Sequence, residues 1–191
     1  MNDSTLTSWA SDEWPAYTPD EILPGLFQGG TEDDEILGFP APSHHYERMY
    51  AGTTPIYPFD VVITLYADAQ PAPWGVQEVR YGFPDGPLRD HDLQKAVQIA
   101  RDAYAQWRSG AQVLIRCQAG VNRSGLVSAL VLMIDGLSAP DAIALLRNRR
   151  SPFVLSNSNF EEWLRTSAAD FIAAHTNPPI NQHLAINPSA A

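Results

Sequence analysis

The chain has 191 residues, 45% apolar and 18% charged, with a formal net charge of −10 and a pI near 4.7. That length suits one domain with a sizeable core and leaves little for a second. A surface this acidic repels polyanions, so nucleic acid and anionic membrane are poor partners, and an anionic substrate must be drawn in by a local positive site.

A single cysteine excludes an internal disulfide and points to a reducing compartment or to indifference to redox. No 18-residue apolar run suggests a membrane span. Residues 1–20 lack the basic start and apolar stretch of a signal peptide, so cytoplasm is the expected location. A monomer is favoured.

Residues 1–20 read as an N-terminal arm carrying Trp9, Trp14 and Tyr17, either frayed or laid on the domain surface. The domain is expected over 21–175. Ile22 to Gln28 is a first strand, punctuated by Pro24-Gly25. Residues 31–58 are rich in Pro, Gly, Tyr and acidic side chains, with His44, His45 and Arg48 among them. A stretch this long with weak periodicity reads as a functional loop or lid. Asp60 to Tyr66 is a short, continuous, β-branched run, the pattern of a buried strand. Val76 to Phe83 is a second such candidate. Asp90 to Trp107 has helical spacing, with Leu93, Val97, Ala100, Ala103, Tyr104 and Trp107 on one face, and Ser109-Gly110 ends it. Gln112 to Arg116 is a buried strand, and Ser124 to Ile134 an apolar helix. Ser138 caps a helix running to about Arg147, with Pro140 in its first turn. Asn157 caps a last helix over about Ser158 to Ala174. Residues 176–191 form a polar tail expected to be disordered. Strands alternating with helices make this a single-domain α/β chain, with a central mostly parallel sheet flanked by helices.

The chemistry concentrates after the strand Val113-Leu114-Ile115-Arg116. The loop Cys117-Gln118-Ala119-Gly120-Val121-Asn122-Arg123-Ser124 lies between a strand end and a helix start, where open α/β sheets bind ligands. Backbone N–H groups there form an anion nest, and the helix dipole adds positive charge. Gly120 permits an unusual backbone conformation. Arg123 has the planar fork that grips two phosphate oxygens. Such a field lowers the pKa of a thiol, so the electrostatics that bind phosphate also generate the attacking thiolate. The expected reaction is a double displacement through a cysteinyl-phosphate intermediate. Ser124 can donate to the sulfur, and no metal or other cofactor is needed.

Cys117 to Ser124 resembles the Cys-x5-Arg-Ser/Thr signature of the protein tyrosine phosphatase superfamily. Gln118-Ala119-Gly120 and Arg123-Ser124 look most like its dual-specificity branch. Low-molecular-weight tyrosine phosphatases carry the signature near their N-terminus, whereas here it falls late. The resemblance covers about Glu21 to Ala174 and implies the cysteine-phosphatase (dual-specificity) fold.

A leaving oxygen needs a proton, and a positioned carboxylic acid is the usual donor. Asp85, in Phe83-Pro84-Asp85-Gly86, lies 32 positions before Cys117. It resembles the family's general-acid loop, although Pro-Asp-Gly is also a plain turn signal. Asp90 and Asp92 compete, and read better as the start of the next helix. The family usually has His before its nucleophile. Here Arg116 stands there, either buried near the thiol or turned outward. Gln118, Ala119, Val121 and Asn122 include no basic residue, which disfavours inositol lipids. Arg147, Arg149 and Arg150 are either helix-end charges or a rim that recognises an acidic partner. Asn157 and Asn159 either cap the helix or brace the catalytic loop. Tyr46 and Tyr50 either flank the pocket or pack on the surface. The five histidines show no metal-ligand spacing.

These readings converge on a cysteine-dependent phosphatase for phosphotyrosine, and potentially phosphoserine or phosphothreonine, in proteins. The alternatives are a non-protein phosphate (RNA 5′-triphosphate, phosphoinositide or small metabolite) or a non-catalytic phosphate-binding module.

Overall fold

The computed structural model describes residues 19–31, 58–72 and 75–175. The expected arm up to residue 18, nearly all of the 31–58 loop with its His and Tyr residues, and the 176–191 tail lie outside the described residues.

The first strand is in fact a hairpin. β1 (Asp20–Leu23) and β2 (Leu26–Gly29) pair antiparallel. The fold-back occurs at Pro24-Gly25, where Gly25 takes φ +83°, a conformation that glycine adopts at no steric cost. The turn signal inside the expected strand therefore divides it. β3 (Val61–Thr64) and β4 (Gln77–Arg80) follow. β4 is shorter than the expected Val76 to Phe83. Beyond Arg80 only the Tyr81 amide continues the pairing, donating to Thr64 O at 2.9 Å. The chain then turns so that Phe83 enters the core, 5% exposed, and meets Phe160 at 6.3 Å between ring centroids.

β5 (Val113–Arg116) is the central strand of the order β1-β2-β5-β3-β4, parallel to both β2 and β3. The β3–β4 pair is also parallel, so among the described residues only the β1–β2 hairpin is antiparallel. Alternation along β5 divides the core. Val113 and Ile115 face the main helix-covered core, and Leu114 faces a smaller cluster with Phe59 and Val62.

α1 (Asp90–Arg108) ends at Ser109 and Gly110, whose φ is +98°. Its buried face is Ala96, Val97, Ile99, Ala100 and Ala103, together with Asp92. Leu93, Tyr104 and Trp107 lie at its margin, half-buried. α2 (Arg123–Ile134) is buried from Arg123 through Leu132, the behaviour of a helix without a polar face. It packs on α1 and β5, and on α3 (Ala139–Arg149). Ser138 caps α3 by accepting from the Asp141 amide at 3.3 Å.

The last expected helix is two: α4 (Ser158–Thr166) and α5 (Ala168–Ala174). Ser167 between them has φ −134°. The Thr166 hydroxyl donates to Glu162 O at 2.9 Å, the local competition by which Ser and Thr bend helices. The bend buries Ala168 fully and brings Phe171 edge-on to Trp163 at 5.6 Å. Among the described residues no helix is long and apolar enough to cross a membrane.

Candidate active site

The loop from Cys117 to Asn122 leaves the central strand of the sheet and returns into the first turn of α2. The scaffold holds it by its carbonyl groups. Gln118 O accepts from the Thr31 amide at 2.7 Å and Val121 O from the Leu155 amide at 3.3 Å. Gly120 O accepts from Gln28 Nε2 at 3.0 Å and from Arg150 Nε at 2.5 Å. The Cys117 amide donates to Gly29 O at 3.3 Å, and with the carbonyls tied to the protein, the amides after Cys117 are the groups suited to an anion.

Gly120 sits at φ +68°. A Cβ there would lie 2.4 Å from Gly29 C and 2.5 Å from Gly30 N. Both conformation and space require glycine. The bracing segment is itself held out of the ordinary: Leu155, fully buried, has φ +60°, a cost of about 1–3 kcal/mol that the surrounding packing must offset.

Cys117 is 2% exposed, and its Sγ lies 3.3 Å from Ser124 Oγ. Gln28 Nε2 donates to the same hydroxyl oxygen at 3.4 Å, leaving the hydroxyl proton available to the sulfur. Arg123, largely buried, donates from Nη2 to Gln118 Oε1 at 3.3 Å. Its guanidinium stands 5.1 Å from the Tyr66 ring centroid. Its Nε is buried without a hydrogen-bond partner among the described residues. A buried cationic donor left unpaired is costly, and an oxyanion held in the loop would satisfy it.

Arg116 does not approach the thiol. The strand alternation sends its side chain to the other face of the sheet. There Nε donates to Thr64 Oγ1 at 3.0 Å, and Nη2 donates to Gln70 O at 2.5 Å and Glu78 Oε1 at 3.3 Å. It is 5% exposed, so it is neither beside the nucleophile nor turned to solvent. Burial opposes ionisation of Glu78, but hydrogen bonds from Thr64 and the Ala72 amide, with the charges of Arg80 and Arg116, hold its pKa below the ordinary value.

The cation behind the loop is Arg150, whose side chain is 0% exposed. Besides Gly120 O, it donates to Gln28 O at 3.2 Å, Ala119 O at 3.4 Å and Asp20 Oδ2 at 2.7 Å. Burial lowers its pKa, opposed by the charges of Asp20 and Cys117. Burial raises that of Asp20, opposed by Arg150. Arg147 is equally occupied, bonding Val154 O at 3.0 Å and Glu161 at 2.6 Å. Two of the three clustered arginines therefore brace the fold and do not form an open rim. Arg150, expected as a helix-end charge or part of a rim, and Gln28, expected only as a strand residue, instead hold the loop carbonyls. Asp20 lies 130 positions from Arg150, and no local pattern signals such a pair.

Asp85 is exposed and reaches the loop of Cys117 to Asn122. Its Oδ2 accepts from Asn122 Nδ2 at 3.1 Å and its Oδ1 from Asn157 Nδ2 at 2.8 Å. Asp92 stays at the start of α1, buried, accepting from the Tyr81 hydroxyl at 3.0 Å and Arg89 Nε at 3.2 Å. Asp90 is exposed as the first residue of α1. Asn157 caps α4, accepting from the Asn159 amide at 3.0 Å; its side chain reaches Asp85 and not the loop, which it meets through its backbone amide, donating to Asn122 Oδ1 at 3.0 Å. Asn159 only joins this cap, donating to Asn157 Oδ1 at 3.1 Å.

Residues 84–169 match the family model described as dual specificity phosphatase, catalytic domain. The chain is 28% identical over 145 residues to protein 123R of Invertebrate iridescent virus 6, named there as a candidate tyrosine phosphatase; the match spans 68% of this chain and 99% of that one. Human DUSP28 is similar in structure, with a TM-score of 0.61 at 21% identity over 84% of this chain and 99% of that one. PTPMT1, solved in complex with PI(5)P, is similar with a TM-score of 0.55 at 17% identity over 86% of this chain and all of that one.

Proposed function

We propose that this chain, a dual-specificity-phosphatase-like protein of the protein tyrosine phosphatase superfamily, is a cysteine-dependent phosphatase acting on phosphotyrosine, and secondarily on phosphoserine or phosphothreonine, in proteins. The observation that carries the reading is the orphaned Nε of Arg123, a buried cationic donor in the same loop as the Cys117 sulfur.

In the first step the Cys117 thiolate attacks phosphorus and forms the S–P bond. The ester P–O bond breaks, and the leaving oxygen takes a proton from the Asp85 carboxylic acid. Arg123 and the loop amides hold the phosphoryl oxygens and stabilise the charge that develops on them. In the second step water attacks phosphorus and gives its proton to the Asp85 carboxylate. The S–P bond breaks, and Ser124 donates a hydrogen bond to the departing thiolate. Thiolate and carboxylic acid are restored, with inorganic phosphate released.

The absence of a basic residue among Gln118, Ala119, Val121 and Asn122 favours a monophosphate over a polyphosphorylated headgroup. The likeness to PTPMT1 with PI(5)P bound makes a phosphoinositide the second reading. The test is hydrolysis of para-nitrophenyl phosphate in EDTA, followed by phosphotyrosine, phosphoserine and phosphothreonine peptides, PI(5)P and 5′-triphosphate RNA. Wild type is active and prefers the phosphotyrosine peptide, whereas Cys117→Ser and Arg123→Ala lose at least about 10³-fold. Activity surviving Cys117→Ser overturns the mechanism, and preference for PI(5)P overturns the substrate class.

A further inference from the structure

We infer that Asn157 and Asn122 are positioning residues that clamp the Asp85 carboxyl over the catalytic loop. The inference rests on the reading of Asp85 as the proton donor. Asp85 sits on an exposed loop after an edge strand, where a carboxylate would otherwise sample many rotamers. Instead each of its oxygens accepts from a different carboxamide, at 2.8 Å from Asn157 and 3.1 Å from Asn122.

The two carboxamides are themselves fixed. Asn122 Oδ1 accepts from the Asn157 amide at 3.0 Å and from Ser156 Oγ at 3.2 Å. Asn157 Oδ1 is committed to the α4 cap. Each Asn therefore spends its carbonyl on the scaffold and its NH2 on Asp85. Asn122 directly precedes Arg123 in the chain, so the clamp sets the acid relative to the phosphate-gripping side chain. Proton transfer depends steeply on that geometry, and a displacement near 1 Å costs about 10²-fold.

Nearby charges on α1 and α4 are paired with other groups. Arg89 pairs with Asp92, and Glu161 with Arg147 and Arg165. Among the described residues the two carboxamides are the hydrogen-bond partners of Asp85.

Asn157→Asp separates clamping from capping, because aspartate is an equally good helix N-cap but has no NH2 to donate. Asn122→Ala provides a second variant that leaves the α4 cap in place. The assay is kcat/KM on phenyl phosphate, whose leaving group needs the proton, against para-nitrophenyl phosphate, whose leaving group needs it far less. The expected result for Asn157→Asp is a loss of about 10–100-fold on phenyl phosphate and a several-fold smaller loss on the nitrophenyl ester. In an Asp85→Asn background, Asn157→Asp should cost no more than about twofold on either substrate, since it acts through Asp85. Equal losses on both esters, or additive losses in the double variant, would overturn the clamp. If Asp85→Asn alone fails to discriminate between the esters, the assignment of the acid fails, a result distinct from failure of the clamp.

Discussion

Arg150→Met removes the cation behind the Cys117–Asn122 loop while keeping most of its volume. The loss can be worked from its contacts. Gly120 O retains its bond from Gln28 Nε2, so it is not orphaned. Gln28 O and Ala119 O lose the Arg150 donor, at about 1 kcal/mol or more each when a buried carbonyl is left short. Asp20 is 43% exposed, so water replaces much of its ion pair and that contribution is worth under about 1 kcal/mol. The total is about 2–4 kcal/mol, out of a typical stability of about 5–15 kcal/mol. The variant therefore folds, with a Tm lowered by about 5–15 °C. Gly120, however, loses a bond that holds the loop's apex, so phosphate ester hydrolysis well below the new Tm should fall by about 10²-fold. Asp20→Asn keeps an acceptor for Arg150 but removes the counter-charge of a fully buried cation, so it should also lower Tm, with a smaller loss of kcat/KM because the Arg150 bond to Gly120 O remains. The assay pairs thermal denaturation with kcat/KM on para-nitrophenyl phosphate. A variant that is destabilised as predicted yet keeps kcat/KM within about threefold of wild type would show that Arg150 supports the fold and not the loop.

Gly120→Ala adds about 1–2 kcal/mol of backbone strain at φ +68° and an overlap with Gly29 and Gly30, so activity should collapse before the fold does; comparing circular dichroism with turnover tests this, and wild-type turnover would refute it. Inorganic phosphate at about 100 times its Kd should stabilise wild type by about 2.7 kcal/mol but not Arg123→Ala, as read from Tm; an equal rise in both would remove Arg123 from the anion site. Burial opposes ionisation of Asp92, but its bonds from Tyr81 and Arg89 and the charge of His91 lower its pKa overall. Its contribution is therefore present above the unfolded value of about 3.9 and is lost as pH falls below it. Asp92→Asn should flatten the acid side of the stability curve, and urea midpoints that fall equally steeply in both proteins would contradict this.

The signature from Cys117 to Ser124 and its place between a strand and a helix are readable without coordinates, because both depend on local pattern: a β-branched run, a glycine, and an apolar helix. The length of α1 and the Ser138 cap are readable for the same reason. Errors arose where a local signal had two outcomes. Pro24-Gly25 reversed the chain instead of merely punctuating a strand, and Thr166-Ser167 bent a helix that periodicity alone would have continued. Asp85 was reachable as a candidate acid from spacing and turn chemistry. Its hold on the loop was not, since Asn122 and Asn157 lie 37 and 72 positions away.

The sequence by itself determined the α/β class and the placement of Cys117 to Ser124 between a strand and a helix, because these follow from neighbours along the chain. Only the tertiary structure decided which arginine stands behind the loop. Strand alternation sends Arg116 through to the far face of the sheet, against Glu78. Packing of α3 beside β1 brings Arg150 to Gly120 and Asp20. The direction of a side chain across a sheet, and the meeting of residues far apart in the chain, are set by the packing of elements against one another, and adjacency in sequence carries no record of it.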